Sequence, residues 1–241
     1  MNPFFVSLFS GGSLPAPDLP KVFFDTGQSN DEGRALNSNA TSGELSAQPN
    51  VQIWQSDIQD FEQYNAGAGN IYAAPNCHDM WLGFAQITPE PVYVVKWAVG
   101  ATDILEHLPG GSVYDVWVAD FVNPAKAWLD ANVGAYDAYV TFRQGERDST
   151  NQPGADAYQG RFDTWTAQMK TLFGNNVKIR PFKMYESDAR DIQINGYFDA
   201  KALTEPNMVV IQSQSLDLLD TVHFSYQGQK DSAQLLLNSL V

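Results

Sequence analysis

The sequence predicts an α/β fold: a three-layer α/β/α sandwich, in which helices cover both faces of a central, mainly parallel sheet. Two observations predict it. Short runs rich in Val, Ile, Tyr and Phe recur at wide spacing, which is typical of buried strands. Helical patterns lie between several of these runs, and strands that alternate with helices pair in parallel. The runs cover residues 22–24, 51–54, 92–98, 138–142, 177–184 and 208–211.

Three segments have the pattern of helices. In residues 155–173, large apolar side chains recur at steps of three and four, and Gly174 follows where a helix ends. Residues 113–131 form a second helical pattern, which Pro124 is expected to bend or split. The last predicted helix lies around residues 231–240.

Length and composition predict one domain, which we assign to residues 21–241. The 241 residues, 44% of them hydrophobic, suffice for one core and exclude a disordered chain. We interpret residues 1–20 as an N-terminal extension that either docks on another protein or subunit or forms a flexible leader. Its apolar stretch lacks the basic start of a signal peptide and is shorter than the about 20 residues of a membrane span. No membrane-spanning segment is predicted elsewhere.

The charge balance excludes some partners. With 14 basic and 28 acidic residues the net charge is −14, which repels nucleic acid and anionic lipid. Only 17% of residues are charged, so much of the polar surface comes from Asn, Gln, Ser and Thr. That mix is common on secreted proteins and particle surfaces, so we expect an extracellular location or a place on a particle such as a virion. The single Cys77 excludes an internal disulfide and a thiolate metal cluster.

Four polar segments directly follow predicted strands or lie near the chain end. They cover residues 27–30, 99–103, 143–148 and 220–223. In folds of this class ligands bind beyond the carboxyl ends of the strands, so we expect these segments to converge in space.

Two of these segments contain the groups of an activated nucleophile. Ser29 follows the first strand, and Asp220 precedes His223 by three residues, a spacing that can hold the imidazole in one tautomer. Ser, His and Asp together are the arrangement used for acyl transfer. The alternatives are a simple turn at Ser29 and a capping or core role for His223.

The segments resemble the SGNH hydrolase superfamily, in particular its carbohydrate esterase and sialate O-acetylesterase branch. That branch has Gly-Gln-Ser-Asn after its first strand, as at residues 27–30, and Gly-Gly-Thr, to which Gly-Ala-Thr at 100–102 is similar. It also has Gln-Gly-Glu-Ser-Asp, from which residues 144–148 differ at one place, and a final Asp-x-x-His, as at 220–223. The resemblance spans about residues 21–241 and implies a flavodoxin-like fold with a five-stranded sheet.

The resemblance also implies roles for the matching residues. Ser29 would attack an ester carbonyl of an acetylated carbohydrate, His223 would act as general base and then acid, and Asp220 would orient His223. The oxyanion hole would consist of the Ser29 backbone N–H, a backbone N–H near Gly100 and the Gln144 side chain. No metal or organic cofactor is implied. The remaining site residues, as substrate contacts or support, would be Gln28, Asn30, Arg34, Arg143 and Glu146.

This chain departs from the branch at several positions. Ala101 replaces a glycine, which matters if the backbone there needs a positive φ. Asp31 stands where the branch has an apolar residue. Arg143 and Arg147 flank the Gln-Gly-Glu core, and with Arg34 they either contact the carboxylate of an acidic sugar or form surface ion pairs.

The leading functional prediction is a serine esterase that removes O-acetyl groups from poly- or oligosaccharides. The alternative is a non-catalytic or weakly catalytic glycan-binding module within a larger assembly such as a virus particle or tail. A lipase or thioesterase ranks lowest, because the sequence has no apolar lid segment.

Overall fold

The computed structural model describes residues 18–67 and 73–240. Most of the predicted N-terminal extension therefore lies outside the described residues. The strands are β1 (Lys21–Gly27), β2 (Ala35–Leu36), β3 (Gln48–Gln55), β4 (Asp60–Tyr64), β5 (Cys77–His78), β6 (Val92–Ala98), β7 (Asp137–Arg143) and β8 (Lys178–Pro181). The α-helices are α1 (Ser29–Glu32), α2 (Met80–Ile87), α3 (Ser112–Val116), α4 (Asn123–Asn132), α5 (Gln152–Phe173), α6 (Ala189–Ala202) and α7 (Tyr226–Asn238).

The main sheet has six strands in the order β4-β3-β6-β1-β7-β8, and β2 pairs with β5 separately. All neighbours in the main sheet are parallel except β4, which runs antiparallel to β3 at the edge. The α/β class and mainly parallel pairing are confirmed, but the predicted count of five strands is wrong. The sequence of β4, Asp-Phe-Glu-Gln-Tyr, is that of an exposed edge strand and lacks a buried apolar run.

Alternate residues of the central strand β1 face opposite helical layers. Phe23 packs against Trp81 and Phe84 of α2, at ring-centroid distances of 5.1 and 5.4 Å. Its neighbour Phe24 packs on Phe173 of α5, at 4.4 Å on the other face. This alternation, which follows from the two-residue period of a strand, produces the predicted three layers.

The predicted helices are present with shifted boundaries. The helix expected at 155–173 is α5, and Gly174 follows it with a φ of 86°. The segment 113–131 forms α3, a π-helical stretch over Trp117–Val122, and α4. Pro124 begins α4 and does not break it, because the first turn of a helix needs no N–H there. The last helix begins earlier than predicted.

The topology brings three loops to one edge of the sheet. In register, Gly27 at the end of β1 lies beside Ala98 at the end of β6 and Arg143 at the end of β7. The segments after these residues therefore leave the sheet at the same level, as predicted. Among the described residues no helix has the length and hydropathy needed to cross a membrane.

Candidate active site

Ser29 occupies a tight turn between β1 and α1. The Gln28 backbone N–H donates to the Arg143 carbonyl across the sheet at 2.9 Å, and the Gln28 carbonyl accepts from the N–H groups of Asp31 and Glu32 at 2.9 and 2.7 Å. Ser29 is partly exposed. Its backbone N–H belongs to the first turn of a helix, where N–H groups have no intrahelical partner. The turn thus presents a hydroxyl and a backbone donor at the sheet edge.

Gly27 is required by the close packing beneath this turn. A Cβ at Gly27 would lie 2.3 Å from the Arg143 carbonyl oxygen and 2.9 Å from Oδ2 of Asp31. Backbone on one side and a buried carboxyl on the other leave no room for a side chain. The glycine of the Gly-Gln-Ser-Asn segment therefore has a steric cause.

The structure places Ser29, His223 and Asp220 in hydrogen-bond sequence. His223 Nε2 lies 3.1 Å from Ser29 Oγ, and His223 Nδ1 lies 2.7 Å from Asp220 Oδ2. Asp220 Oδ1 also accepts from the backbone N–H groups of Val222 and His223, both at 2.8 Å. Although partial burial raises the pKa of Asp220, these hydrogen bonds outweigh it and lower the pKa to about 2. At neutral pH the imidazole therefore has an ionised carboxylate behind it.

Glu146 supports the serine turn from below. Its carboxylate accepts from Gln28 Nε2 through one oxygen and from Asn30 Nδ2, at 2.9 Å, through the other. The two residues it holds flank Ser29 on either side. Gln28, Asn30 and Glu146 therefore lie together at the site, and the contacts indicate support of the turn.

Gly100 lies against the nucleophile. A Cβ built on Gly100 would be 3.5 Å from Cβ of Ser29, 2.6 Å from Nη2 of Arg34 and 2.8 Å from Oε2 of Glu32. Arg34 forms an ion pair with Glu32, so this pair covers the glycine. The backbone at Gly100 is thus close enough to Ser29 to serve the same oxyanion.

The side chain of Gln144 does not have the arrangement expected of an oxyanion-hole donor. Its Nε2 donates to Oδ2 of Asp148 at 2.6 Å and to the Thr102 carbonyl at 3.3 Å. Both amide hydrogens are therefore engaged. Asp148 Oδ2 in turn accepts from the Ile104 backbone N–H at 2.9 Å, so Gln144 ties the segment after β7 to the segment after β6.

Arg143 does not face the cleft, contrary to the expectation that it contacts substrate. It is 2% exposed. Its guanidinium stacks on Phe182 at 4.0 Å, donates to Gln229 at 3.0 Å and lies 3.7 Å from Asp31. The physical reason is its position inside a central strand, since its side chain points into the layer between the sheet and the helices.

A layer of buried charged groups lies beneath the site, which the sequence analysis did not identify. Asp25 accepts from Trp81 Nε1 at 2.7 Å, and Lys96 pairs with Asp79. Asp31 is fully buried, and this burial together with the charge of Asp25 raises its pKa well above the usual value. The available clue was a charged residue inside each of two apolar strands, Asp25 in β1 and Lys96 in β6.

The geometry defines a class of protein. A hydroxyl, an imidazole and a carboxylate in hydrogen-bond sequence, at the edge of a mainly parallel α/β sheet, form the arrangement that serine hydrolases use. The chain belongs to the carbohydrate esterase family described as sialic acid-specific acetylesterases, whose sequence profile matches residues 20–241. The resemblance noted in the sequence is thereby confirmed. No curated protein matches the chain by sequence.

Solved structures share the fold. A protein from Arabidopsis thaliana superposes with a TM-score of 0.73 at 16% identity, over 92% of this chain and 97% of the other. NanS superposes with a TM-score of 0.62 at 14% identity, over 94% and 98%. A carbohydrate acetylesterase from Xanthomonas citri gives 0.58 at 15% identity, over 89% of this chain and 54% of that protein, so this chain spans about half its length. At these identities the likeness shows the fold alone.

Proposed function

We propose that this protein is a serine esterase that removes O-acetyl groups from carbohydrate through an acyl-enzyme intermediate. The observation that carries the proposal is the chain of hydrogen bonds from Asp220 through His223 to Ser29. Membership in a family of carbohydrate acetylesterases supports an acetylated sugar as the substrate.

In the first half of the reaction, Ser29 Oγ forms a bond to the ester carbonyl carbon while His223 Nε2 takes its proton. Asp220 stabilises the imidazolium that results. The oxyanion of the tetrahedral intermediate accepts from the backbone N–H of Ser29 and a backbone N–H near Gly100. Loss of one such donor typically costs about 3–4 kcal/mol of transition-state stabilisation.

In the second half, the bond between the acyl carbon and the sugar oxygen breaks, and His223 gives its proton to that oxygen. Water then attacks the acetyl-serine, with His223 as the base, and releases acetate and the free serine. Protons balance over the cycle, and every group required belongs to the chain, to the ester or to water.

The test is hydrolysis of p-nitrophenyl acetate, and acetate release from acetylated sugars, by the wild type and by Ser29→Ala. We expect kcat to fall at least about 10³-fold in the variant, because removal of a nucleophile leaves only oxyanion stabilisation and binding. Circular dichroism and thermal unfolding check that Ser29→Ala remains folded. Equal rates in the two proteins would refute the esterase and favour a glycan-binding module.

A further inference from the structure

A cavity of about 190 Å³ lies beside the candidate site, between the loop after β7, the start of α6 and the residues that precede His223. Glu146, Tyr185, Thr221 and Val222 are among its walls. We propose that this cavity binds the sugar ring that bears the ester, and that it selects an uncharged saccharide. The proposal rests on the esterase activity proposed above and assigns its substrate class.

The cavity is coupled directly to the nucleophile. Asn30, the residue after Ser29, donates through Nδ2 to Oε1 of Glu146 and to the carbonyl of Val222, both at 2.9 Å. Two walls of the cavity are therefore held by one side chain next to the reacting serine. A ligand in the cavity lies within one residue of the chemistry.

The direction of the reaction places the sugar on this side. His223 has to protonate the leaving oxygen, so the alcohol must lie next to His223 Nε2. Thr221 and Val222, which line the cavity, immediately precede His223. The acetyl oxygen instead points toward the backbone near Gly100, where the Arg34–Glu32 ion pair lies.

The walls suit a sugar ring, which has an apolar C–H face and several hydroxyls. Tyr185 and Val222 are 37% and 41% exposed and offer apolar surface. Within the described parts of the chain, the hydroxyls of Tyr185 and Thr221 have no hydrogen-bond partner, so both can bond a ligand. The volume is below the about 300–1,000 Å³ of pockets for drug-sized ligands, which fits a single ring.

The charge of the walls argues against an anionic sugar. Three carboxylates, from Glu146, Asp188 and Asp191, face one guanidinium, that of Arg190. Arg190 already donates to Asp188 and to the Thr150 carbonyl, and its hydrogen bonds hold the pKa of Asp188 at about 2. A carboxylate in the ligand would meet net negative charge with no free cation. The family description names an acidic sugar, so this chain would differ in its substrate.

The test compares two substrates that differ only in charge, an O-acetylated methyl glucoside and the matching O-acetylated methyl glucuronide. We expect the wild type to hydrolyse the glucoside with at least about tenfold higher kcat/KM. Equal or opposite preference would overturn the selection of an uncharged sugar.

Variants of Tyr185 test the place of binding. Tyr185→Ala should raise KM for the glucoside ester at least fivefold more than KM for p-nitrophenyl acetate, and Tyr185→Phe, which keeps the ring, should restore most of the difference. Val209→Ala is the control, since Val209 has a similar exposure of 42% and lies outside the cavity. Equal effects of Tyr185→Ala on both esters would refute the cavity as the sugar site.

A binding experiment separates this proposal from the esterase itself. Calorimetry measures binding of methyl glucoside, the alcohol product, to Ser29→Ala and to the double variant Ser29→Ala with Tyr185→Ala. We expect affinity to drop at least fivefold in the double variant whether or not the wild type turns over an ester. Unchanged affinity would overturn the assignment of the cavity.

Discussion

Asn30 holds the backbone on both sides of His223. Its Nδ2 donates to the Val222 carbonyl at 2.9 Å, and its Oδ1 accepts from the Phe224 N–H at 2.8 Å. The residue after the nucleophile thus fixes the loop that carries the base. Because these residues lie at opposite ends of the chain, one amide side chain sets the distance between hydroxyl and imidazole.

We predict that Asn30→Ala lowers kcat on p-nitrophenyl acetate at least about 10²-fold with little change in KM, since a misplacement of about 1 Å can cost that much in rate. Asn132→Ala is the control, because Asn132 Nδ2 also donates to a backbone carbonyl, but on exposed α4. Steady-state kinetics of both variants check the prediction. A raised KM at unchanged kcat would contradict a positioning role.

A second prediction concerns the buried carboxyl of Asp31. Its raised pKa means that the folded protein holds this proton more tightly than the unfolded chain does. The free energy of unfolding is therefore reduced as pH rises from about 4 toward the raised folded value, by at most about 1.4 kcal/mol per pH unit. Asp31→Asn removes this dependence.

Urea unfolding of the wild type and Asp31→Asn at several pH values measures the effect. We expect the variant to gain stability relative to the wild type as pH increases. Asp57→Asn, at an exposed position, controls for the loss of one negative charge. A wild-type-to-Asp31→Asn difference that stays constant with pH would show that the carboxyl is already ionised in the folded state.

A third prediction follows from the backbone at Ala101, which has a φ of 63°. An L-residue there costs about 1–2 kcal/mol, whereas glycine adopts this region freely but has a more disordered unfolded state. We expect Ala101→Gly to raise the free energy of unfolding by about 0.5–1 kcal/mol. Ala167→Gly on α5, where glycine is unfavourable, should lower it by about 1 kcal/mol. Chemical denaturation of both variants checks the opposite signs.

The fourth prediction separates two roles of Gln144. If it ties two loops through Asp148 and Thr102, Gln144→Ala leaves a buried carboxyl short of a partner and lowers the free energy of unfolding by about 1–3 kcal/mol. Thermal and urea unfolding measure this. A fall in kcat with unchanged stability would instead restore the role of oxyanion donor.

Some features of the fold and site could be predicted from local pattern. Buried strands have continuous apolar runs, which identified β1, β6 and β7, and the segments after them were expected to converge. The edge strand β4 and the short helix α2 lacked such a pattern. The direction of Arg143 could not be predicted, because motif position does not tell whether a side chain of a central strand points to the cleft or to the helices.

The sequence by itself determined the class of fold, the family and the order of chemical groups along the chain, since these depend on residue type and spacing. Only the tertiary structure decided which groups touch: Asn30 with the His223 loop, Glu146 with the serine turn, and Arg143 with Asp31. Such contacts join residues distant in sequence, and their geometry depends on packing of the whole core. That is why the hydrogen bonds of the site had to be observed in three dimensions.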